Sequence, residues 1–407
     1  MNVDADYTTD LLRRAVQTPS ITGDEGAIAE LFRDELDALG LDDVELFEFR
    51  PGRPNVLATL RGSGGGPGVL FAGHVDTVHV RGWVERWRGT ERESPFSAAV
   101  VDGELWGRGA ADMKAGIVAS ISALKTIRDA GLRLRGDVVL AFVGDEESGE
   151  PGSGYSDGMK AVAERLRAGD LPAVDFAVYT EPTTLDVYTA QMGFMTADVT
   201  VLGRGAYFGT PWLGVDALRG AHKLLAELFA YSEELSERGD HDLLGRAFLL
   251  VTGIEGGGYI AVPERCRLSL IRKILPGETL DDARSELDRL VARAAGDGLR
   301  TEITYTAPRD HSYGGTPVET PPDLPPVRRL VEAVRGVTGE RDVVRGAPYW
   351  SEIPILGALG IPGAYCGPGD ITNCHTVEER VQLAEVADAA RIFAAFITAQ
   401  CGVEGDG

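Results

Sequence analysis

Residues 138–150 read VVLAFVGDEESGE, an unbroken apolar run that delivers four acids, Asp145, Glu146, Glu147 and Glu150, within six positions. Six consecutive apolar residues without polar alternation fit a strand covered on both faces, as in a largely parallel sheet. In open sheets of that kind ligand sites collect beyond the carboxyl ends of the strands, and the DEE triplet lies there. Adjacent carboxylates repel one another, so a site that gathers them needs positive charge nearby.

Working outward, residues 10–181 alternate apolar runs such as GVLFAGHV with helical periodicity, as in Ile117, Ile121, Leu124 and Ile127. This is the βαβ pattern of a covered, mostly parallel central sheet, and the fold class is α/β. The same mode returns near the C-terminus, where GIPGAYCG reads as a strand and residues 378–398 as a helix. Between them FMTADVTVLG, GVDALRGAHKLLAELFA, FLLVTGI, RCRLSLIRKIL, DDARSELDRLVARAA and TEITYTA read as strand, helix, strand, strand, helix, strand. That βαββαβ order is a split βαβ, ferredoxin-like module inserted into the first domain. The expected division is 1–189 and 307–407 for one domain, with 190–306 inserted.

Composition narrows the function. A net charge of −23 over 407 residues, with no cluster of Lys and Arg, argues against nucleic acid or an anionic membrane as partner. No stretch approaches the about 18 to 20 apolar residues of a membrane span. Cys266, Cys366, Cys374 and Cys401 form no CxxC pair, and MNVDADYTTDLLRRAV lacks the basic start and apolar run of a signal peptide, so a cytoplasmic location is expected.

Other candidate ligands end neighbouring segments. His74 and Asp76 close the GVLFAGHVD run, Glu181 closes VDFAVYTE, Asp112 precedes a helix in GRGAADMKAG, and His375 follows GAYCGPG. Each taken alone is weak, because a Glu pair in a Gly-rich loop is usually solvated surface. Together, oxygen and nitrogen ligands at one sheet edge suit divalent metals of the zinc or cobalt kind.

GHVDTV, GRGAADMKAG, GDEESGE, TEPT and GPGDITNCHTVEE, in this order, resemble the acetylornithine deacetylase, succinyl-diaminopimelate desuccinylase, aminoacylase and carboxypeptidase G family of co-catalytic zinc hydrolases over nearly the whole chain. The resemblance implies two divalent ions per chain, zinc first, with cobalt or manganese as alternatives. Asp112 would bridge them, His74 and Glu181 would complete one site, and Glu147 and His375 the other. Glu146 would be the general base. Asp76 would accept from the second ring nitrogen of His74 and so fix its tautomer. A cis peptide is implied between Asp112 and Met113. The inserted module would be a lid that also supplies homodimer contacts, with Arg272 gripping a substrate carboxylate and Glu352, in APYWSEIPIL, lining the substrate side. The implied activity is hydrolysis of a linear amide: removal of an N-acyl group from, or cleavage of a peptide-like bond in, a small carboxylate-bearing amino acid.

The sequence also departs from that family. GRGAYFGTPWLG carries Tyr207 where a histidine donates to the substrate carbonyl or oxyanion, and GGGYIAVPERC carries Ile260 where many members have Asn. A second reading therefore stays open, a re-purposed member that binds metal and a small acyl amino acid without hydrolysis. Glu146 favours the first reading; Tyr207 and Ile260 favour the second.

Overall fold

The computed structural model describes residues 1–148 and 152–405; Glu150 of the quoted run lies outside them. The described residues divide into two compact units. One comprises residues 1–189, 320–345 and 351 onward; the other comprises 190–319 and 346–350.

In the first unit the run at 138–143 is a strand, Val138–Val143, buried at every position. It lies parallel to Val69–His74, which is parallel to Phe176–Tyr179, which is parallel to Gly363–Tyr365. The sheet is mixed, because Arg53–Leu60 and Asp42–Arg50 extend it in antiparallel fashion beside Val138–Val143, and Val187–Gln191 does so at the other side. The four central strands are mutually parallel. Helices cover them: Ile117, Ile121, Leu124 and Ile127 of helix Ala115–Asp129 are fully buried in one apolar core with Phe71, Leu140, Phe393 and Phe396. Gly116 permits the close approach of this helix, since a Cβ there would lie 2.0 Å from the carbonyl oxygen of Thr180.

The last helix runs Leu383–Cys401 rather than 378–398. Its expected first turn is instead a short strand, Arg380–Gln382, paired antiparallel with Glu104–Trp106. Periodicity alone does not reveal that the backbone of these residues is claimed by another strand.

The second unit contains strands Gly193–Leu202, Phe248–Gly256, Arg265–Ile274 and Arg300–Tyr305 and helices Ala217–Glu237 and Leu280–Arg293. Its sheet places Arg265–Ile274 between Phe248–Gly256 and Gly193–Leu202, with Arg300–Tyr305 on the far side of the latter. Val199, Val201, Leu268 and Leu270 pack against Leu224, Leu228 and Leu287 of the two helices. Residues 307–319, read from sequence as part of the return to the first domain, fall in this unit, where Gly314–Gly315 pairs with Gly193–Leu202.

Candidate metal centre and active site

The carboxyl ends of the parallel strands of the first unit bring together the expected ligands. His74, Asp112 and Glu181 form one group with ligand atoms within 4.8 Å of one another, and Asp112, Glu147 and His375 form a second. Asp112 belongs to both through different oxygens: Oδ1 lies 3.0 Å from His74 Nε2, and Oδ2 lies 3.2 Å from His375 Nε2. His375 Nε2 is also 3.0 Å from Glu147 Oε1, and His74 Nε2 is 3.8 Å from Glu181 Oε1. The peptide between Asp112 and Met113 is cis.

The three adjacent acids go three ways. Asp145, with φ +73°, turns inward to an ion pair with Arg53 at 2.9 Å and accepts from the backbone of Gly154 and Tyr155. Glu147 turns to His375. Glu146, partly exposed, forms no salt bridge among the described residues.

Electrostatics favour a cation. Burial, reinforced by the charge of Asp112, pushes the Glu181 carboxyl up to about 8. Burial also drives Glu146 well upward, with Glu147, Glu181 and Glu352 adding to it. Burial opposes a charged imidazole at His375, yet hydrogen bonds to Asp112 and Glu147 carry it up to about 11. Asp112 is held well below the usual carboxylate range, because the two imidazoles outweigh its burial. These acids are drawing positive charge from histidine protons. Two imidazole nitrogens with carboxylate oxygens, sharing one bridging carboxylate, are a donor set that fits a pair of divalent ions.

Asp76 acts differently from the sequence expectation. The group that meets His74 Nδ1 at 2.9 Å is the backbone carbonyl of Asp76, not its carboxylate, which stands 3.8 Å away. A carbonyl only accepts, so Nδ1 carries the proton and Nε2 faces the ligand group. The Asp76 carboxylate accepts instead from the N–H of Glu147 at 3.0 Å, that of Glu146 at 3.4 Å and the Thr22 hydroxyl at 3.0 Å.

Glu352 is fully buried at the start of helix Ile353–Gly357 and accepts from the Tyr179 hydroxyl at 2.5 Å. Its charge adds to the upward shift of Glu146, and its full burial differs from the lining position expected of it. In the second unit Arg272 is 1 % exposed, and its guanidinium donates to Glu278 at 2.7 Å and to the Tyr231 hydroxyl at 3.0 Å. Gripping a substrate carboxylate would require release from that pair, so this setting does not support the expected role. Tyr207 is 63 % exposed, with its ring centroid 4.6 Å from that of Phe208 and its backbone bridged to Ala261; the neighbouring Ile260 has φ +57°.

Four supporting residues escaped the sequence reading. Ser351 donates to Glu181 at 2.8 Å and Thr22 to Asp76; Thr22 comes from a segment with no local signal, whereas Ser351 stands beside Glu352 in APYWSEIPIL and was passed over there. Arg108 and Glu379, a buried ion pair, stand inside the motifs GRGAADMKAG and GPGDITNCHTVEE, and only their place in those motifs could have singled them out.

Residues 70–399 match the model of "Peptidase family M20/M25/M40". Acetylornithine deacetylase of Proteus mirabilis is 26 % identical, covering 99 % of each chain. Succinyl-diaminopimelate desuccinylase of Gluconacetobacter diazotrophicus is 29 % identical, covering 95 % of each. Among solved structures, the M20 family metallo-carboxypeptidase Sso-CP2 of Sulfolobus solfataricus superposes with a TM-score of 0.76 at 18 % identity, covering 98 % of this chain and 99 % of that one. With a family match that takes in every expected ligand and a fold shared end to end, the chain belongs to peptidase family M20/M25/M40 and is a metal-dependent hydrolase acting on amide bonds.

Proposed function

We propose that the protein is a dinuclear amidohydrolase that removes an N-acyl group from, or cleaves a peptide-like bond in, a small amino-acid substrate bearing a carboxylate. The observation that carries this is the double role of Asp112, whose two oxygens face separate His and Glu pairs. His74, Asp112 and Glu181 would hold one ion and Asp112, Glu147 and His375 the other, zinc in the first instance. When bound, such a pair supplies a water of lowered pKa and an electrophile for the scissile carbonyl.

Glu146 would take a proton from the attacking water and pass it to the departing nitrogen as the C–N bond breaks. Asp76 holds Glu146 and Glu147 in register through their backbone N–H groups. Tyr207 donates its hydroxyl to the oxyanion in place of the family's histidine. The second unit serves as lid and homodimer surface: Phe248–Gly256 is an edge strand of its sheet and exposes Phe248, Leu250 and Ile254. We place the protein in the cytoplasm, consistent with four free, buried cysteines.

Purified protein loaded with zinc, cobalt or manganese should release amine from some member of a panel of N-acetyl, N-formyl and N-succinyl amino acids and dipeptides. Chelation or Glu146→Gln should abolish that release. Two bound ions with no turnover across the panel would favour the non-hydrolytic binding protein that Tyr207 and Ile260 leave open. Sedimentation of a Leu250→Glu variant tests the dimer, which should dissociate.

A further inference from the structure

Arg108 and Glu379 are among the largest departures from ordinary burial of charge in the first unit, at 1 % and 0 % exposure. Neither is a candidate ligand or base. Burying two charges is costly, and such a pair often contributes little net stability, which raises the question of what else it does.

Its hydrogen bonds converge on the segments that carry the ligands. Glu379 Oε1 accepts from the backbone N–H of Ala111 and of Asp112, at 3.2 Å each. These amides lie in the irregular turn Ala110–Lys114, where Asp112 has φ −117° and ψ 94°, outside the helical region. Glu379 Oε2 pairs with Arg108 Nη1. Arg108 Nη2 donates to the carbonyl of Thr376, next to His375, at 3.1 Å. Arg108 Nε donates to the carbonyl of His79, on the segment that follows His74 and Asp76, at 3.2 Å. The carbonyl of Glu379 itself accepts from the N–H of Gly107 at 3.2 Å.

We infer that the Arg108–Glu379 pair is a positioning brace that ties together the segments bearing His74, Asp112 and His375 and fixes Asp112 in its bridging orientation. The inference rests on the dinuclear reading above. The Asp112 side chain can present its two oxygens to two ligand groups only if its backbone is held, and Glu379 supplies the acceptor for that backbone N–H. Supporting groups of this kind commonly change metal affinity about 10- to 100-fold when removed. Glu379→Ala strands two buried N–H donors and the Arg108 charge together, so both ions should weaken, because both share Asp112.

The test is zinc affinity and stoichiometry by competition with a chromophoric chelator, measured on the whole chain. Circular dichroism and thermal melting run alongside, and Phe393→Leu serves as a core variant of comparable destabilisation away from the brace. The parent should bind two ions. Glu379→Ala should weaken both by about 10- to 100-fold. Glu379→Gln, which keeps an acceptor for the two N–H groups, should recover part of that loss, and Phe393→Leu should melt earlier with unchanged affinity. Parental affinity in folded Glu379→Ala, or an equal loss in Phe393→Leu, overturns the brace while leaving the dinuclear reading intact. If Glu379→Ala does not fold, Glu379→Gln and Arg108→Lys decide: a loss of about 10-fold supports the brace, and parental affinity in both overturns it. A parent that binds fewer than two ions removes the dinuclear reading and the brace with it.

Discussion

The carboxylate of Asp76 accepts a hydrogen bond from the backbone N–H of Glu147 at 3.0 Å, joining the end of strand Val69–His74 to the end of its parallel neighbour Val138–Val143. The ring of His74 is served by the Asp76 backbone carbonyl instead. The expected task of the carboxylate, orienting His74, falls to the main chain, and the side chain takes up the Glu147 N–H instead. Asp76→Ala should therefore leave the His74 tautomer unchanged while releasing Glu146 and Glu147. Imidazole ¹⁵N NMR should still find the proton on Nδ1, and turnover should fall about 10- to 100-fold with weaker binding at the Glu147 site. A tautomer change in this variant would return the orienting role to the carboxylate.

Metal analysis should find two divalent ions per chain. His375→Ala removes one ligand of one group only and should lower the count to about one, whereas Asp112→Ala, which strikes both groups, should lower it toward none. Equal losses in the two variants would contradict the shared carboxylate.

Metal binding should release protons and strengthen with pH. In the metal-free protein His375 is carried up to about 11 by Asp112 and Glu147 against its burial, and Glu181 up to about 8 by burial and the charge of Asp112, so both hold protons at pH 7. An ion must displace them. The same signs govern metal-free stability. The Glu181 carboxyl, raised above its unfolded value, favours folding at low pH, and that advantage fades as pH rises from its ordinary range through about 8. Calorimetry in buffers of different ionisation enthalpy should register net proton release at pH 7, and zinc affinity should be higher at pH 8 than at pH 6. A pH-independent affinity would contradict this.

Tyr207 stands exposed on an aromatic segment beside Phe208. Loss of one oxyanion donor costs about 100- to 1000-fold in rate, so Tyr207→Phe should lower kcat by that order and leave metal content unchanged. Tyr207→His should retain activity on the same substrate. Parental kcat in Tyr207→Phe would mean that the hydroxyl takes no part.

What the sequence determined by itself was whatever is encoded in local pattern and motif. The apolar run at 138–143 specified a buried strand because no polar residue interrupts it, and the order of segments 194–307 specified the inserted module because its periodicity switches between 2 and 3.6 residues. The candidate ligand residues were legible because each stands inside a motif that can be read in one dimension: His74, Glu147 and Glu181 at or just after a strand end, Asp112 ahead of a helix, His375 in a loop. Tertiary structure alone decided which atom of a residue does the work. That Asp76 serves Glu147 by side chain and His74 by main chain depends on two parallel strands ending at the same height. That Arg272 is sequestered by Tyr231 and Glu278 depends on how its own unit packs. That residues 380–382 pair with Glu104–Trp106 rather than starting a helix depends on a partner some 270 residues away. Hydrogen bonds are directional and short-ranged, so a pattern in sequence can name the residues that gather at a site but not the donor and acceptor each will present there.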